Sequence, residues 1–329
     1  MNPTIDVVIP TWKPDAQFRE VLLKLIRQTR PPRQILLINT EKELFDESLL
    51  EGLGDVRAAG EPCQTDSELQ KTGPVIRVMH IRKMDFDHGG TRHMAAEMLD
   101  GDGILFMTQD AMPENSRLIE CLLRPFEDPQ VCVSYARQLP RQDCSLLERF
   151  TRNFNYPPQS RIKTAADLNV LGIKTAFCSN VCAMYRRSAY EEFGGFERHT
   201  IFNEDMIFAG RLIQGGKAVA YCADAEVIHS HNYSGTAQFH RNFDLGVSQA
   251  EHPELFSIAS SESEGVRLIR KTAEYLVKKG KPWLLFPLIW QSGCKYLGYR
   301  LGKNYRRLPA GMVRACSLNK DYWNHGTGI

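Results

Sequence analysis

The sequence predicts an α/β fold followed by an all-helical C-terminal region, on three observations. Apolar runs of strand length alternate with helically spaced apolar residues from the N-terminus onward. Polar, acid- or histidine-bearing segments stand immediately after several of those runs. Beyond position 235 the helical spacing continues and the strand runs stop. Strand, helix and strand within about forty residues demand a parallel pair buried on both faces.

Taken in order, Val7-Val8-Ile9 is a strand ended by Pro10, and Phe18, Val21, Leu22, Leu25 and Ile26 recur at helical spacing before the breaker Pro31-Pro32. Positions 35–38 form a second strand. From 41 to 74 the chain turns polar and Gly-rich, a surface insertion with weak helical pieces, before 75–81 resumes a strand. A helix is expected over 92–99. Positions 104–108 form the next buried strand, which delivers Gln109 and Asp110 at its C-terminal end, where open α/β sheets place ligands. Strands at 131–136 and 181–185, a helix over 187–193 and the turn Gly194-Gly195 follow. The helix over 204–214 is closed by Gly215-Gly216. Strands around Val219 and Val227 complete the core, and 236–246, 266–279 and 283–301 are helical. The expected division is an α/β domain over 1–235, in two halves (1–110 and 111–235), and a helical region over 236–329.

The bulk numbers exclude several function classes. With 329 residues, 43% of them hydrophobic, the chain can bury a substantial core. A net charge of +2 from 41 basic and 39 acidic residues gives no global field for nucleic acid, so an anion site must be local. Nine cysteines without a C-x-x-C pair, the closest spacing being Cys178 to Cys182, fit reduced thiols in the cytoplasm rather than a zinc cluster. The N-terminus lacks a signal-peptide pattern, and no apolar run approaches the ~20 residues that span a bilayer. The expected place is inside the cell, soluble or peripheral on the inner face of the cytoplasmic membrane.

Four clusters carry candidate chemistry. Asp110, in Thr108-Gln109-Asp110-Ala111-Met112-Pro113, leaves a buried strand beside a cleft, where its carboxylate suits a hard divalent cation bridging two phosphates; a turn-forming or N-capping Asp is the plain alternative. Glu204-Asp205 opens a helix. An acid pair there is ordinary helix-dipole chemistry, but a carboxylate so placed, after the Gly194-Gly195 turn, can also deprotonate a hydroxyl as a general base. His229-Ser230-His231-Asn232-Tyr233-Ser234 leaves the last core strand with two potential metal or phosphate ligands. Both face one way only if the extended backbone persists, and the spacing leaves open which turns inward. In Asp87-His88-Gly89-Gly90-Thr91-Arg92, the glycines allow backbone amides to approach an anion and Arg92 offers a cationic fork. No Walker loop or G-x-G-x-x-G turn follows a strand, which disfavours P-loop kinases and Rossmann dehydrogenases.

In their order these segments resemble glycosyltransferase family 2, the inverting enzymes of GT-A fold, and within it the rhamnosyltransferase-like branch. The similar segments are Val8-Ile9-Pro10-Thr11-Trp12, Ile35-Leu36-Leu37-Ile38, Phe86 to Arg92, Thr108 to Pro113, Arg137-Gln138-Leu139-Pro140, Phe154-Asn155-Tyr156-Pro157, Ser179-Asn180-Val181-Cys182, Gly194-Gly195-Phe196, Glu204-Asp205 and His229 to Ser234. The resemblance implies a GT-A mixed sheet flanked by helices. It assigns Asp205, with Glu204, to catalysis and Asp110 and His229 to a Mg2+ or Mn2+ ion. Pro10, Thr11, Glu41, Arg92, Gln109, Asp110 and His231 fall to the nucleotide-sugar donor, dTDP-L-rhamnose in this branch. Two departures stand out: Thr108 replaces the first acid of the family's D-x-D motif, and Asn39-Thr40-Glu41 replaces the acidic step after the second strand, with Glu41 as the substitute. The implied acceptor is a glycan or lipid-linked glycan of a cell-surface polysaccharide such as O-antigen.

In the tail, the apolar 283–290 segment precedes Lys295, Arg300, Lys303, Arg306 and Arg307 with Tyr296 and Tyr299 interleaved, a pattern that suits an interfacial helix on an anionic leaflet. Packing on the catalytic domain or on a homodimer mate is the competing expectation. Two further rivals concern function. A nucleotidyltransferase would show a Gly-rich basic loop after the first strand, where Pro10-Thr11-Trp12-Lys13-Pro14 stands instead. A degenerate relative binding a nucleotide or glycan without turnover is suggested by Thr108 and opposed by Asp110, Glu204-Asp205 and both histidines, and a family-2 transferase using another nucleotide sugar is the nearest alternative.

Overall fold

The computed structural model describes residues 3–60, 73–256 and 261–324. The N-terminal part alternates β1 (Ile5–Trp12), α1 (Ala16–Ile26), β2 (Gln34–Thr40), β3 (Val56–Ala58), β4 (Val75–Ile81), α2 (His88–Glu97) and β5 (Gly103–Met107). It continues with β6 (Met112–Pro113), α3 (Leu118–Leu123), β7 (Val131–Leu139), α4 (Leu146–Asn155), β8 (Arg161–Lys163), β9 (Cys182–Arg186), α5 (Arg187–Glu192), α6 (Glu204–Gln214) and β10 (Ala218–Ile228). The strands form one ten-stranded mixed sheet in the order β3-β4-β2-β1-β5-β9-β7-β10-β6, with β8 paired to β10 off that path. The β3, β4, β2, β1 and β5 strands run parallel, whereas β9 is antiparallel to both β5 and β7. Val7 and Ile9 of β1 pack with α1 and α3 on one face, and Val8 packs with α2, α5 and α6 on the other. This two-sided burial is why the strand runs read as continuous rather than alternating.

Four expectations are corrected. Pro10 does not end β1, which continues to Trp12. Pairing with β5 stops at Val8↔Phe106 while pairing with β2 persists to Trp12↔Thr40, so the proline sits where the strand has lost one neighbour and a missing donor is tolerated. The helix expected from 92 starts at His88, because Asp87 caps it by accepting from the Gly89 and Gly90 amides. The strands around Val219 and Val227 are one strand, β10, with a register break between Cys222 and Glu226. The insertion over 41–74 contains β3, which extends the sheet edge; its positions 61–72 lie outside the described residues.

After Ser234, which caps the next helix through the Ala237 amide, come α7 (Gly235–Glu251), α8 (Ser261–Lys278), α9 (Leu285–Lys303) and α10 (Ala310–Cys316). The α7 and α9 helices touch backbone to backbone. A Cβ at Gly298 would lie 2.2 Å from the Phe239 carbonyl oxygen, and one at Gly302 would lie 2.0 Å from that of Phe243. The tail does not stand apart from the α/β part: Phe243, Val247, Tyr305, Val313, Tyr322 and Trp323 bury themselves with Ile201. The Tyr322 ring stacks on His199 at 4.2 Å. Among the described residues no helix is long and apolar enough to cross a membrane.

Candidate active site

The C-terminal ends of β1, β2 and β5 meet at one edge of the sheet. The Thr11 hydroxyl donates to Asn39 Oδ1 at 3.2 Å, and Gln109 clasps the Trp12 backbone, accepting its N–H at 2.7 Å and donating to its carbonyl at 3.1 Å. These bonds hold Pro10 and Thr11 beside Gln109, as the sequence grouped them. Glu41 follows in a left-handed conformation, φ 63°, and its carboxylate accepts from the Lys83 amide. Asn39, fully buried, also reaches the Glu41 carbonyl and His80 Nδ1, both at 3.0 Å. Sequence reasoning assigned no role to Asn39 or His80; their signal was the polar end of an otherwise apolar strand.

One residue past Gln109, Asp110 meets both histidines. The strand β10 ends at Ile228, the His229 amide still pairs with the Leu139 carbonyl, and His229 and His231 both reach Asp110 while Ser230 accepts from the Arg141 amide. Asp110 Oδ2 lies 3.0 Å from His231 Nε2 and 3.5 Å from His229 Nε2, and the two Nε2 atoms are 3.1 Å apart. Burial raises the Asp110 carboxyl, but the His231 hydrogen bond and the two imidazoles outweigh it and hold the group well below the usual carboxylate range. Burial pushes His229 down to about 3 against the pull of Asp110, which keeps the ring neutral. The His229 Nδ1 lies 3.1 Å from Gln138 Oε1, an oxygen that also faces Arg152, while Gln138 Nε2 donates to the Tyr156 hydroxyl (2.6 Å) and Ser179 Oγ (3.0 Å). With its nitrogen committed as a donor, Gln138 accepts a hydrogen bond through Oε1 from His229 Nδ1–H, and the Nε2 lone pair is left facing Asp110. Three ligand atoms within 4.8 Å of one another, one carboxylate oxygen and two imidazole nitrogens, form a donor set for a divalent cation.

The second cluster is built on the N-terminus of α6. Glu204 is buried and fully engaged: its Oε1 is 3.2 Å from Arg92 Nη1 and accepts from Asn180 Nδ2 at 3.0 Å. Desolvation opposes its ionisation, but the Arg92 guanidinium prevails and lowers its pKa. Asp205 is half-buried and accepts the Asn180 amide at 2.9 Å and the Met206 amide at 2.8 Å. Burial, followed by the neighbouring Glu204 charge, pushes its carboxyl up to about 7 despite those two hydrogen bonds. A carboxylate poised near neutrality is equipped to take a proton; Glu204, ionised and paired, is equipped to hold Asp205 in that state. A chain of contacts joins the clusters: His229 to Gln138, Gln138 to Ser179, and the next residue, Asn180, to Asp205.

The expected phosphate cradle at Gly89-Gly90 does not form. Their amides are spent on Asp87 at 3.0 and 2.8 Å, and Asp87 also accepts from Thr200. The glycines are instead needed for packing, because a Cβ would lie 2.1 Å from the Glu197 carbonyl oxygen at Gly89 and 2.3 Å from that of Arg198 at Gly90. Arg92 likewise is buried against Glu204 rather than presented as an open fork. Its guanidinium was read as a donor contact and is placed as the partner that keeps Glu204 charged.

Comparison with known proteins identifies the family. The family model described as glycosyl transferase family 2 matches residues 6–194. The chain is 38% identical over 323 residues to the O-antigen chain rhamnosyltransferase RfbN of Salmonella typhimurium, covering 98% of this chain and 96% of that protein. It is 36% identical over 326 residues to the O-antigen chain rhamnosyltransferase WbaN of Salmonella anatum, again covering 98% and 96%. Among solved structures, the mannosyltransferase PcManGT from Pyrobaculum calidifontis, in complex with GDP-Man and Mn2+, superposes with a TM-score of 0.52 at 14% identity over 98% of this chain and 86% of that one, a likeness of fold. The matched segment takes in the sheet edge bearing Thr11, Gln109 and Asp110, and the chain belongs to glycosyl transferase family 2.

Proposed function

We propose that the chain transfers L-rhamnose from dTDP-L-rhamnose, with inversion at the anomeric carbon, to a hydroxyl of a cell-surface polysaccharide acceptor. The observation that carries the reading is Asp205, a half-buried carboxylate pushed up to about 7 and linked through Asn180, Ser179 and Gln138 to the Asp110–histidine cluster. The similarity to two O-antigen rhamnosyltransferases over nearly the full chain supports the donor sugar and the acceptor class. Asp205 removes the acceptor proton as that oxygen attacks the anomeric carbon, and the bond to the diphosphate breaks in the same displacement. Pro10, Thr11 and Gln109 shape the donor end of the cleft, with Glu41 at its rim.

Asp110, His229 and His231 fit a divalent cation, and two imidazole nitrogens favour Mn2+ over the oxygen-preferring Mg2+. When bound, such an ion neutralises charge developing on the departing diphosphate. In this reading residues 1–110 carry the nucleotide, 111–235 complete the reaction centre, and the helical region over 236–329 closes the acceptor side. Trp283, Phe286, Ile289, Trp290 and Leu297 are all more than half exposed along α9 and the turn before it, with Lys281 and Arg300 exposed nearby. That stripe suits a peripheral contact with the anionic inner leaflet, close to a lipid-linked glycan. A homodimer mate is its competing occupant.

The test is release of nucleotide diphosphate from a panel of nucleotide sugars with Mn2+ or Mg2+ and membrane extract as acceptor source. Turnover of dTDP-rhamnose alone, lost in Asp205→Asn, is the expected outcome. Turnover unchanged in the variant removes Asp205 as the base, and preference for another sugar nucleotide removes rhamnose. Nucleotide binding without turnover beside a competent acceptor leaves a non-catalytic binder.

A further inference from the structure

The turn that leads into α6 is pinned by the helical region. Asn203, the residue before Glu204, is buried and left-handed, with φ 65° and ψ 22°. An asparagine at the start of a helix ordinarily accepts, through its side-chain oxygen, from the amide of the second or third helical residue. Here the side chain makes no such bond. Its Nδ2 instead donates to Ser248 Oγ on α7 at 3.2 Å. Ser248 Oγ in turn donates to the Phe202 carbonyl at 2.7 Å, an oxygen that also accepts from Thr200 Oγ1 at 3.0 Å. Ser248 is fully buried, and the helix that bears it is seated hard against α9, where a Cβ at Gly246 would lie 2.4 Å from the Tyr299 carbonyl oxygen. The amide at the third position of α6 belongs to Met206, and Asp205 Oδ1 accepts it at 2.8 Å. An Asn203 side chain turned toward α6 competes for that amide, whereas one turned toward Ser248 leaves it to Asp205.

We propose that Ser248 is a positioning residue for Asp205: by holding the Asn203 side chain away from the start of α6, it reserves the Met206 amide for the Asp205 carboxylate. The α7 helix thereby acts on the reaction centre through a side chain of the α/β part. This rests on the transferase reading above in one respect, that Asp205 is the base; the hydrogen-bond chain does not depend on the identity of donor or acceptor. The charged groups that act on Asp205 are Glu204 and Arg92. Tyr156, Cys178 and Tyr185, whose charges would also act on it, stay neutral near pH 7 because burial raises all three. With those five groups left in place, a change at Asp205 reports its hydrogen bonding.

The Asp205 carboxyl is titrated by carbon NMR on the full chain carrying isotope-labelled aspartate, its signal identified by its loss in Asp205→Asn, and the acid limb of nucleotide diphosphate release is measured alongside. A hydrogen bond to the ionised form holds a carboxyl down, so its loss raises the midpoint. Ser248→Ala should therefore move the Asp205 midpoint up by roughly one unit, with dTDP affinity within about twofold of wild type. Ser248→Cys, a far weaker hydrogen-bonding group, should move it the same way and serves if Ser248→Ala does not fold. Asn203→Gly keeps a left-handed backbone and removes the competing side chain, so it should leave the midpoint in place, and adding it to Ser248→Ala should bring the midpoint back. A midpoint that stays or falls in Ser248→Ala would overturn the proposal. So would a rise that survives Asn203→Gly, because the shift would then not pass through Asn203, or a rise accompanied by collapse of dTDP binding, which marks general disruption. A midpoint that rises as expected beside an unmoved acid limb would sink the base reading and leave the positioning of Asp205 standing. Coincident midpoint and limb, both unmoved, would keep the base reading and sink this proposal alone.

Discussion

Removing the charge of Glu204 while keeping its shape, with Glu204→Gln, tests how the structure sets the proton affinity of Asp205. Burial and the Glu204 charge raise that carboxyl, and the amides of Asn180 and Met206 and the Arg92 guanidinium hold it down, with a net position of about 7. Glu204→Gln deletes the second raising influence and frees Arg92, whose guanidinium then acts on Asp205 without an intervening anion. Both changes favour the ionised carboxylate. Loss of one close like charge in a partly buried site is worth on the order of one pKa unit, or about 1.4 kcal/mol. The assay is the pH profile of kcat/KM for nucleotide diphosphate release. Wild type should lose activity below pH 7, falling tenfold per unit. In Glu204→Gln that acid limb should move to about pH 6, so that at pH 6 the ionised fraction rises roughly fivefold. Above pH 8 the variant should be slower than wild type, because a weaker base abstracts a proton less readily. An acid limb that stays in place or moves upward would refute the argument, since the limb would then belong to another group or Glu204 would not be charged beside Asp205.

Three further outcomes follow from the same geometry. Asp205→Asn should be more stable than wild type at pH 8 by roughly a few kcal/mol: the raised folded-state pKa means the ionised Asp205 destabilises the fold above about 7, and the advantage should fade as pH falls toward 4, as read by urea unfolding at each pH. Gln138→Leu, which touches no ligand atom, should weaken Mn2+ binding roughly 10- to 100-fold by releasing the His229 ring, measured by titration of the Mn2+ electron paramagnetic signal; unaltered affinity would show that Gln138 does not fix the tautomer. Gly302→Ala places a methyl 2.0 Å from the Phe243 carbonyl oxygen and should cost about 1–3 kcal/mol, seen as a fall of several degrees in Tm, whereas Gly293→Ala, on the same helix with nothing within 4 Å of its Cβ, should not.

Legibility in the sequence tracked how local the determining physics was. The α6 helix was readable to its bounds because its acidic start and Gly-Gly stop are local signals. The start of α2 was misread because Gly89-Gly90 are poor helix formers, and the carbonyls of Glu197 and Arg198 that require them are contributed by a distant loop. Gln138, Tyr156 and Asn180 stood in segments that resembled the family, yet their roles were invisible, since each role is a hydrogen bond to a partner far along the chain. The Gly298-x-x-x-Gly302 spacing was a usable clue to a close helix crossing and was passed over.

By itself, the sequence determined the α/β class, the helical tail, the family and the acids and histidines that make up the candidate site, because burial periodicity, caps and ordered motifs are written into neighbouring residues. Tertiary structure alone decided that both histidines converge on Asp110, that Arg92 is paired with Glu204, and that Asp205 is the carboxylate pushed toward neutrality. Those outcomes depend on desolvation and on charges brought together from separate strands and helices, and neither quantity exists until the sheet has assembled.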